Sequence, residues 1–295
     1  MSAAPESVPA RLASSGQSGG GRQGRHSVVP IRHYGRGIGA ALVLALVALF
    51  LYSMATNPNI SWTIVGDFLF NGQILDGLLA TAEMTALALI ISLIGAVIVA
   101  VMRMSKSRII SGVAACYVFV FRSIPPMLLL IFLGNLGLFV KHITIGIPFT
   151  DVVFYTGPTS RLITPFIASV IGLSLAGIGY MGEIVRGGLL AIGRGQHEAA
   201  KALGLRSRQT MRHIILPQGL RVILPPLGNE LIGMLKATAM VAVIGGGDLL
   251  TVAQGISGQN YRTIELLIVA TIWYFIVIAL ISVGQHFIEK RFAEK

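Results

Sequence analysis

The segment Gln196-His197-Glu198-Ala199-Ala200-Lys201-Ala202-Leu203-Gly204, continuing through Leu205 to Pro217, is a polar, basic island between two apolar runs. Glu198, Ala199, Ala200, Gly204, Ile214, Leu216 and Pro217 hold the spacing E-A-A-x3-G-x9-I-x-L-P, seven residues at fixed offsets. This composition predicts two short helices joined by a bend. Ala199, Ala200 and Ala202 favour helix and leave little bulk, so another surface can approach closely. Gly204 can adopt positive φ and end the first helix. Ser207 is expected to cap the second helix and Pro217 to close it.

Working outward, the composition places these helices beside a membrane. Hydrophobic residues make up 54% of the 295 and charged residues 12%, about half of the roughly 25% charge of soluble domains. Mean hydropathy is +0.77. Six apolar runs are long enough to cross a bilayer: 38–55, 77–102, 112–140 (broken at Pro125-Pro126), 164–185, 222–245 and 263–286. The fold class is therefore an all-α polytopic membrane helix bundle of about six transmembrane helices. Residues 1–37 are Ser-, Gly- and Arg-rich without an apolar core, and read as a disordered basic tail rather than a signal peptide.

The basic residues orient the bundle. With the N-terminus inside, 19 Lys and Arg fall in cytoplasmic segments, while Lys141, Arg161 and Arg262 are the three outside. Such a split places both termini and the Glu198 segment in the cytoplasm. The net charge of +11 then needs no nucleic acid to explain it, because the excess lies where anionic lipid and a cytoplasmic partner would meet it. Cys116, the single cysteine, cannot form an intrachain disulfide. It sits in an apolar run and reads as a packing residue.

On the E-A-A…G…I-x-L-P spacing, the chain resembles the membrane-spanning permeases of ABC importers, in which this loop docks on a cytoplasmic ATPase. The resemblance implies ATPase-coupling roles for Glu198, Ala199, Ala200, Gly204, Leu205, Ile214 and Pro217. It begins near Gly77 and ends about Lys290. The implied organisation is a tail (1–37), an extra N-terminal helix with an external loop (38–76), and a permease core (77–290) followed by a cytoplasmic tail (291–295). The coupling loop occupies 188–217 within that core.

Further motifs narrow the family. Tyr117-Val118-Phe119-Val120-Phe121-Arg122-Ser123-Ile124-Pro125 resembles the Y-x4-R-G-T-P of polar amino-acid permeases of the histidine, glutamine and glutamate type. Tyr180-Met181-Gly182-Glu183-Ile184-Val185-Arg186-Gly187-Gly188 resembles their A-Y-x-A-E-x-x-R-G-G. Pro225-Pro226-Leu227-Gly228-Asn229-Glu230 and Leu235-Lys236-Ala237-Thr238 follow in the same order. Ser123-Ile124, Leu129, Ala237 and Ala239 depart from the usual Gly-Thr, Gln, Asp and Ser. The resemblance implies an amino-acid importer of the bacterial cytoplasmic (inner) membrane. Its partners would be ATPase subunits, an extracytoplasmic substrate-binding protein and a second permease copy or paralogue. An ion-coupled secondary transporter is the alternative, but no matching pair of interrupted halves is visible.

Charged side chains within hydrocarbon cost about 2.5–3.5 kcal/mol on insertion scales and usually face a cavity or a partner. Glu83, Glu183, Glu230 and Lys236, with Asn229 and Thr238 beside them, are therefore candidates for a substrate path. Glu183 and Arg186 are three apart, so an intrahelical ion pair competes with a substrate contact there. The excess of acids over bases in the spans leans towards a neutral polar or cationic amino acid. The sequence holds no phosphate-binding G-x-x-x-x-G-K-[ST] loop and no catalytic constellation. His142, His197, His213 and His286 lack metal-ligand spacing. The expectation is a non-catalytic subunit without cofactor or metal, powered by a separate ATPase. In a Cys116→Ser background, a single cysteine at Asn57 should react with an impermeant thiol reagent from outside, and one at Ser207 should not. The reverse labelling would invert the arrangement.

Overall fold

The computed structural model describes residues 34–147, 150 and 152–293; the tail predicted for 1–37 lies almost wholly outside them, as do the last two residues. The chain divides into two units, Met1–Asn57 and Pro58–Lys295. The described part of the first is essentially α1 (Tyr34–Ala55), an apolar helix with no buried residue in its membrane-length window.

The second unit begins with α2 (Trp62–Leu69), α3 (Gly72–Arg103) and α4 (Arg108–Ser123), then α5 (Pro126–Gly134) and α6 (Leu136–Phe139). A two-stranded antiparallel hairpin follows, β1 (His142–Gly146) with β2 (Val153–Pro158), His142 standing opposite Pro158. Then come α7 (Thr159–Leu162), α8 (Pro165–Leu190), α9 (Arg194–Ala202) and α10 (Ser207–Thr210). A π turn (Met211–Ile215) leads into α11 (Leu216–Ala237) and a 3-10 stretch (Thr238–Ile244), and α12 (Leu249–Asn260) and α13 (Thr263–Ala293) complete the unit. Five helical runs are long and apolar enough to cross a membrane, or six if the bent pair α4–α5 counts as one span.

Within a bilayer every backbone polar group must be satisfied by the chain, so helix ends need local partners. Asn71 accepts from Gln73 N at 2.9 Å at the start of α3, and Thr164 from Ile167 N at 3.3 Å at the start of α8. Pro165 occupies the first turn of α8, where its missing N–H costs nothing.

Small residues let α3 and α8 run side by side in the same direction. Ser92 Oγ donates to Ser174 O at 3.3 Å, and Gly95 meets Ile178 while Gly182 meets Val99. Around this seam Met84, Ala88, Ala96, Leu130, Leu173, Met181 and Met234 form the main core. The break at Pro125-Pro126 bends α4 from α5 by 95°. Ile124 there is extended, as a residue preceding proline prefers.

Two sequence expectations are corrected. Arg206, not Ser207, takes the cap position of α10, its N–H donating to Gln209 Oε1 at 2.9 Å. Pro217 does not close that helix, for the run continues unbroken from Ser207 to Ile244. The π turn explains this: Leu216 N reaches back to Met211 O, a widened turn that accommodates the proline immediately after it. The segment 246–262 holds α12, which buries Leu249 and Ala253 against Ile74, Leu266 and Val269. The segment 141–162 holds the hairpin, an addition to an otherwise helical fold.

Gly245 (φ 67°) and Gly247 (φ 84°) turn the chain left-handed before Asp248, which accepts from Leu250 N at 3.0 Å. Leu249 N then donates to Thr81 Oγ1 at 2.9 Å, pinning the start of α12 on α3. A Cβ at Gly177 would meet Ser92 Oγ and lie 2.7 Å from Met234 Cε, whereas one at Gly187 would meet nothing within 4 Å. Gly177→Leu should therefore destabilise the bundle by about 1–3 kcal/mol or more, read as a lower Tm in detergent. Gly187→Ala should lose nothing; equal Tm values for the two variants would refute the seam.

Candidate functional site

The loop from α9 to α11 folds as its residues dictate. Leu205 N donates to Ala200 O at 3.0 Å and Gly204 N to Lys201 O at 2.9 Å, which together make a Schellman ending to α9. Gly204 sits at φ 71° with open space where a Cβ would be, so the demand for glycine is conformational rather than steric. The exposed turn carries Glu198 and Ala199, while Ala200 is fully buried. Leu205 and Ile214 are half-buried and Pro217 is exposed.

Sequence reading missed Leu203, an apolar side chain left 77% exposed beside Glu198. Its position just before a helix-ending glycine was the available signal, because the residue there turns away from the helix axis.

The charged residues of the spans separate into two kinds. Glu183 is bonded: its Oε2 receives Arg186 at 2.7 Å and its Oε1 receives Arg103 Nε at 3.2 Å. The intrahelical pair foreseen from spacing is thus present, and Arg103 joins it from α3. Thr238 is buried and committed, donating to Leu235 O at 2.6 Å and sharing a 3.0 Å bond with Tyr274 Oη. Glu83, Asn229 and Lys236 are exposed, and Glu230 is half-buried within reach of the Arg122 charge. Neither Glu83 nor Glu230 has an ion pair with a described residue. Among the described residues, no hydrogen bond or ion pair joins any two of the six candidates.

Comparisons with known proteins fit this architecture. The family model described as binding-protein-dependent transport system inner membrane component matches residues 92–294. The arginine transport system permease protein ArgU of Corynebacterium glutamicum is 39% identical over 264 residues, which is 89% of this chain and 82% of that protein. The L-cystine transport system permease protein TcyB of Bacillus subtilis is 33% identical over 217 residues, 73% of this chain and 84% of its own. A crystal structure of an amino acid ABC transporter with histidines superposes with TM-score 0.63 at 33% identity, covering 74% of this chain and 94% of that one. The MetNI methionine ABC transporter, at 20% identity and TM-score 0.56, shares the fold. The chain belongs to the binding-protein-dependent transport inner-membrane component family, as an amino-acid permease of the ABC transporter type.

Proposed function

We propose that this permease imports a cationic amino acid and is driven through its 196–217 loop by ATPase subunits in the cytoplasm. The observation that carries the substrate class is the reach of the similarity to the arginine permease. That match of 264 residues is longer than the whole Pro58–Lys295 unit, so it extends beyond the core into the segment containing α1. The excess of acids in the spans points the same way. Glu83 and Glu230, which have no bonded cation among the described residues, are the groups we assign to the cationic side chain, and Lys236 and Asn229 to the α-carboxylate. Glu183 and Thr238 are already spent on packing.

For coupling, the exposed Glu198, Ala199 and Leu203 around the left-handed Gly204 offer a rigid knob with one charge and one apolar contact. An extracytoplasmic binding protein delivers the substrate, and a second copy or a paralogue completes the path. Both termini lie in the cytoplasm, on the strength of the Lys and Arg distribution. An ion-coupled mechanism would leave this loop without a partner.

Reconstituted with its ATPase and binding protein in proteoliposomes, the permease should take up labelled L-arginine only with ATP inside the ATPase compartment. Unlabelled lysine should compete at least tenfold better than aspartate or glutamate. Preferential competition by the dicarboxylates would contradict the substrate class and leave the family assignment standing. In the same assay Glu198→Lys should cut ATP-driven uptake at least tenfold while the protein remains inserted. Gly204→Val should act similarly, since a β-branched residue at positive φ costs about 1–2 kcal/mol. Normal transport by both variants would remove the loop from the coupling path.

A further inference from the structure

At the ends of α3, α4 and α8 lies a cavity of about 430 Å³ lined by Arg103, Val118, Phe119, Arg122, Tyr180 and Glu183. Its electrostatics are lopsided. Glu183 bonds both Arg103 and Arg186, so these three groups leave one net positive charge. Arg122 adds another: its guanidinium lies 5.1 Å from the Tyr180 ring centroid and makes no hydrogen bond or ion pair with a described residue. Glu230 on α11 acts on Arg122 only at longer range. All five donors of Arg122 and the terminal amino groups of Arg103 are thus available to an anion, and a guanidinium fork suits the oxygens of a phosphate.

The helix that bears Arg122 also shows what kind of anion fits. One face of α4 is packed, Ala114 and Val118 lying against Val99. Another carries Ile109 (79% exposed), Val113 (58%), Cys116 and Val120 along one line of helical spacing. The third holds Phe119 and Arg122 at the cavity. Tyr117 Oη donates to Leu175 O at 2.9 Å while Ala114 packs on Val99, so α4 touches both α8 and α3 and leaves its stripe uncovered. An apolar helix stripe beside a basic cavity has the layout of a lipid headgroup site with room for acyl chains. A free phosphate would use the arginines and have no need of the stripe.

We propose that this cavity binds the phosphate of an anionic phospholipid, with the acyl chains lying on the Ile109–Val113–Val120 stripe of α4. In the orientation proposed above, the site faces the cytoplasmic leaflet, where anionic lipid is at hand. Occupancy ties α4 to α3 and α8 and so braces the bend at Pro125.

The test is a titration of the purified full chain in mild detergent with phosphatidylglycerol or phosphatidylcholine, read by native mass spectrometry. The wild type should retain phosphatidylglycerol at least tenfold more strongly. Arg122→Gln should lower that retention roughly fivefold, the factor for removing one basic group worth about 1 kcal/mol at a lipid surface. Phosphatidylcholine binding should not change. Arg291→Gln, at the far end of α13, should leave both lipids unaffected. Val113→Glu keeps every arginine and should weaken phosphatidylglycerol by a similar factor, so it decides the matter if Arg122→Gln does not fold. Equal retention of the two lipids would overturn the proposal, as would equal losses in Arg122→Gln and Arg291→Gln or undiminished binding by Val113→Glu. Displacement of phosphatidylglycerol by millimolar inorganic phosphate would overturn it in favour of a free-anion site.

Discussion

The close approach of α3 to α8 is the contact on which the other positions in the core depend. Lipid tails are as apolar as leucine, so two membrane helices gain little by hiding apolar surface from each other. They gain instead from backbone proximity, and Gly95, Gly177 and Gly182 supply it by leaving room for Ile178, Ser92 and Val99. Once the seam is set, Arg103 is carried to Glu183 at one end. At the other, Thr81 is placed to receive the amide of Leu249. The seam therefore fixes the depth of the charged cluster, the position of α4 and the seat of α12.

Helical hydrogen bonding is interrupted at several places in the long helical runs. Pro125 and Pro126 divide the third span, and the chain resumes as a fresh helix after a sharp bend. Pro225 and Pro226 lie inside α11, where Gln285 of α13 donates to Pro225 O at 3.3 Å. The π turn before Pro217 and the 3-10 stretch before Gly245 complete the series. In hydrocarbon such breaks are tolerated only where protein or a cavity covers them. They are concentrated in α4–α5 and in the run from α10 to the 3-10 stretch.

Much of this was legible in the sequence, and what was not has identifiable causes. The spans follow from apolar runs, because a bilayer penalises charge strongly enough for composition to decide. Gly204 was legible because positive φ after an alanine-rich helix calls for glycine. The Glu183–Arg186 pair was legible because three residues is one helical turn. Arg103 was not, since 80 positions separate it from Glu183 and only the packed seam joins them. Ala200 was grouped with Ala199 as a contact residue, yet a helix turns about 100° between them and places one inside and one outside. Pro217 was expected to end a helix because proline usually does, and the π turn that absorbs it has no sequence signature. The α12 helix lacks the length of a span, so its burial against α3 and α13 was invisible until the fold brought them together.

The proposed function puts the entry of force from ATP at Glu198, Ala199 and Leu203. Site-specific cross-linking tests that most directly. With Cys116 replaced by serine, a photoreactive thiol label on a cysteine at Ala199 or Leu203 should join the permease to its ATPase subunit in intact membranes. The same label at Phe154, on the exposed hairpin strand β2, should not. Cross-links to the ATPase from Phe154, with none from Ala199 or Leu203, would contradict the account.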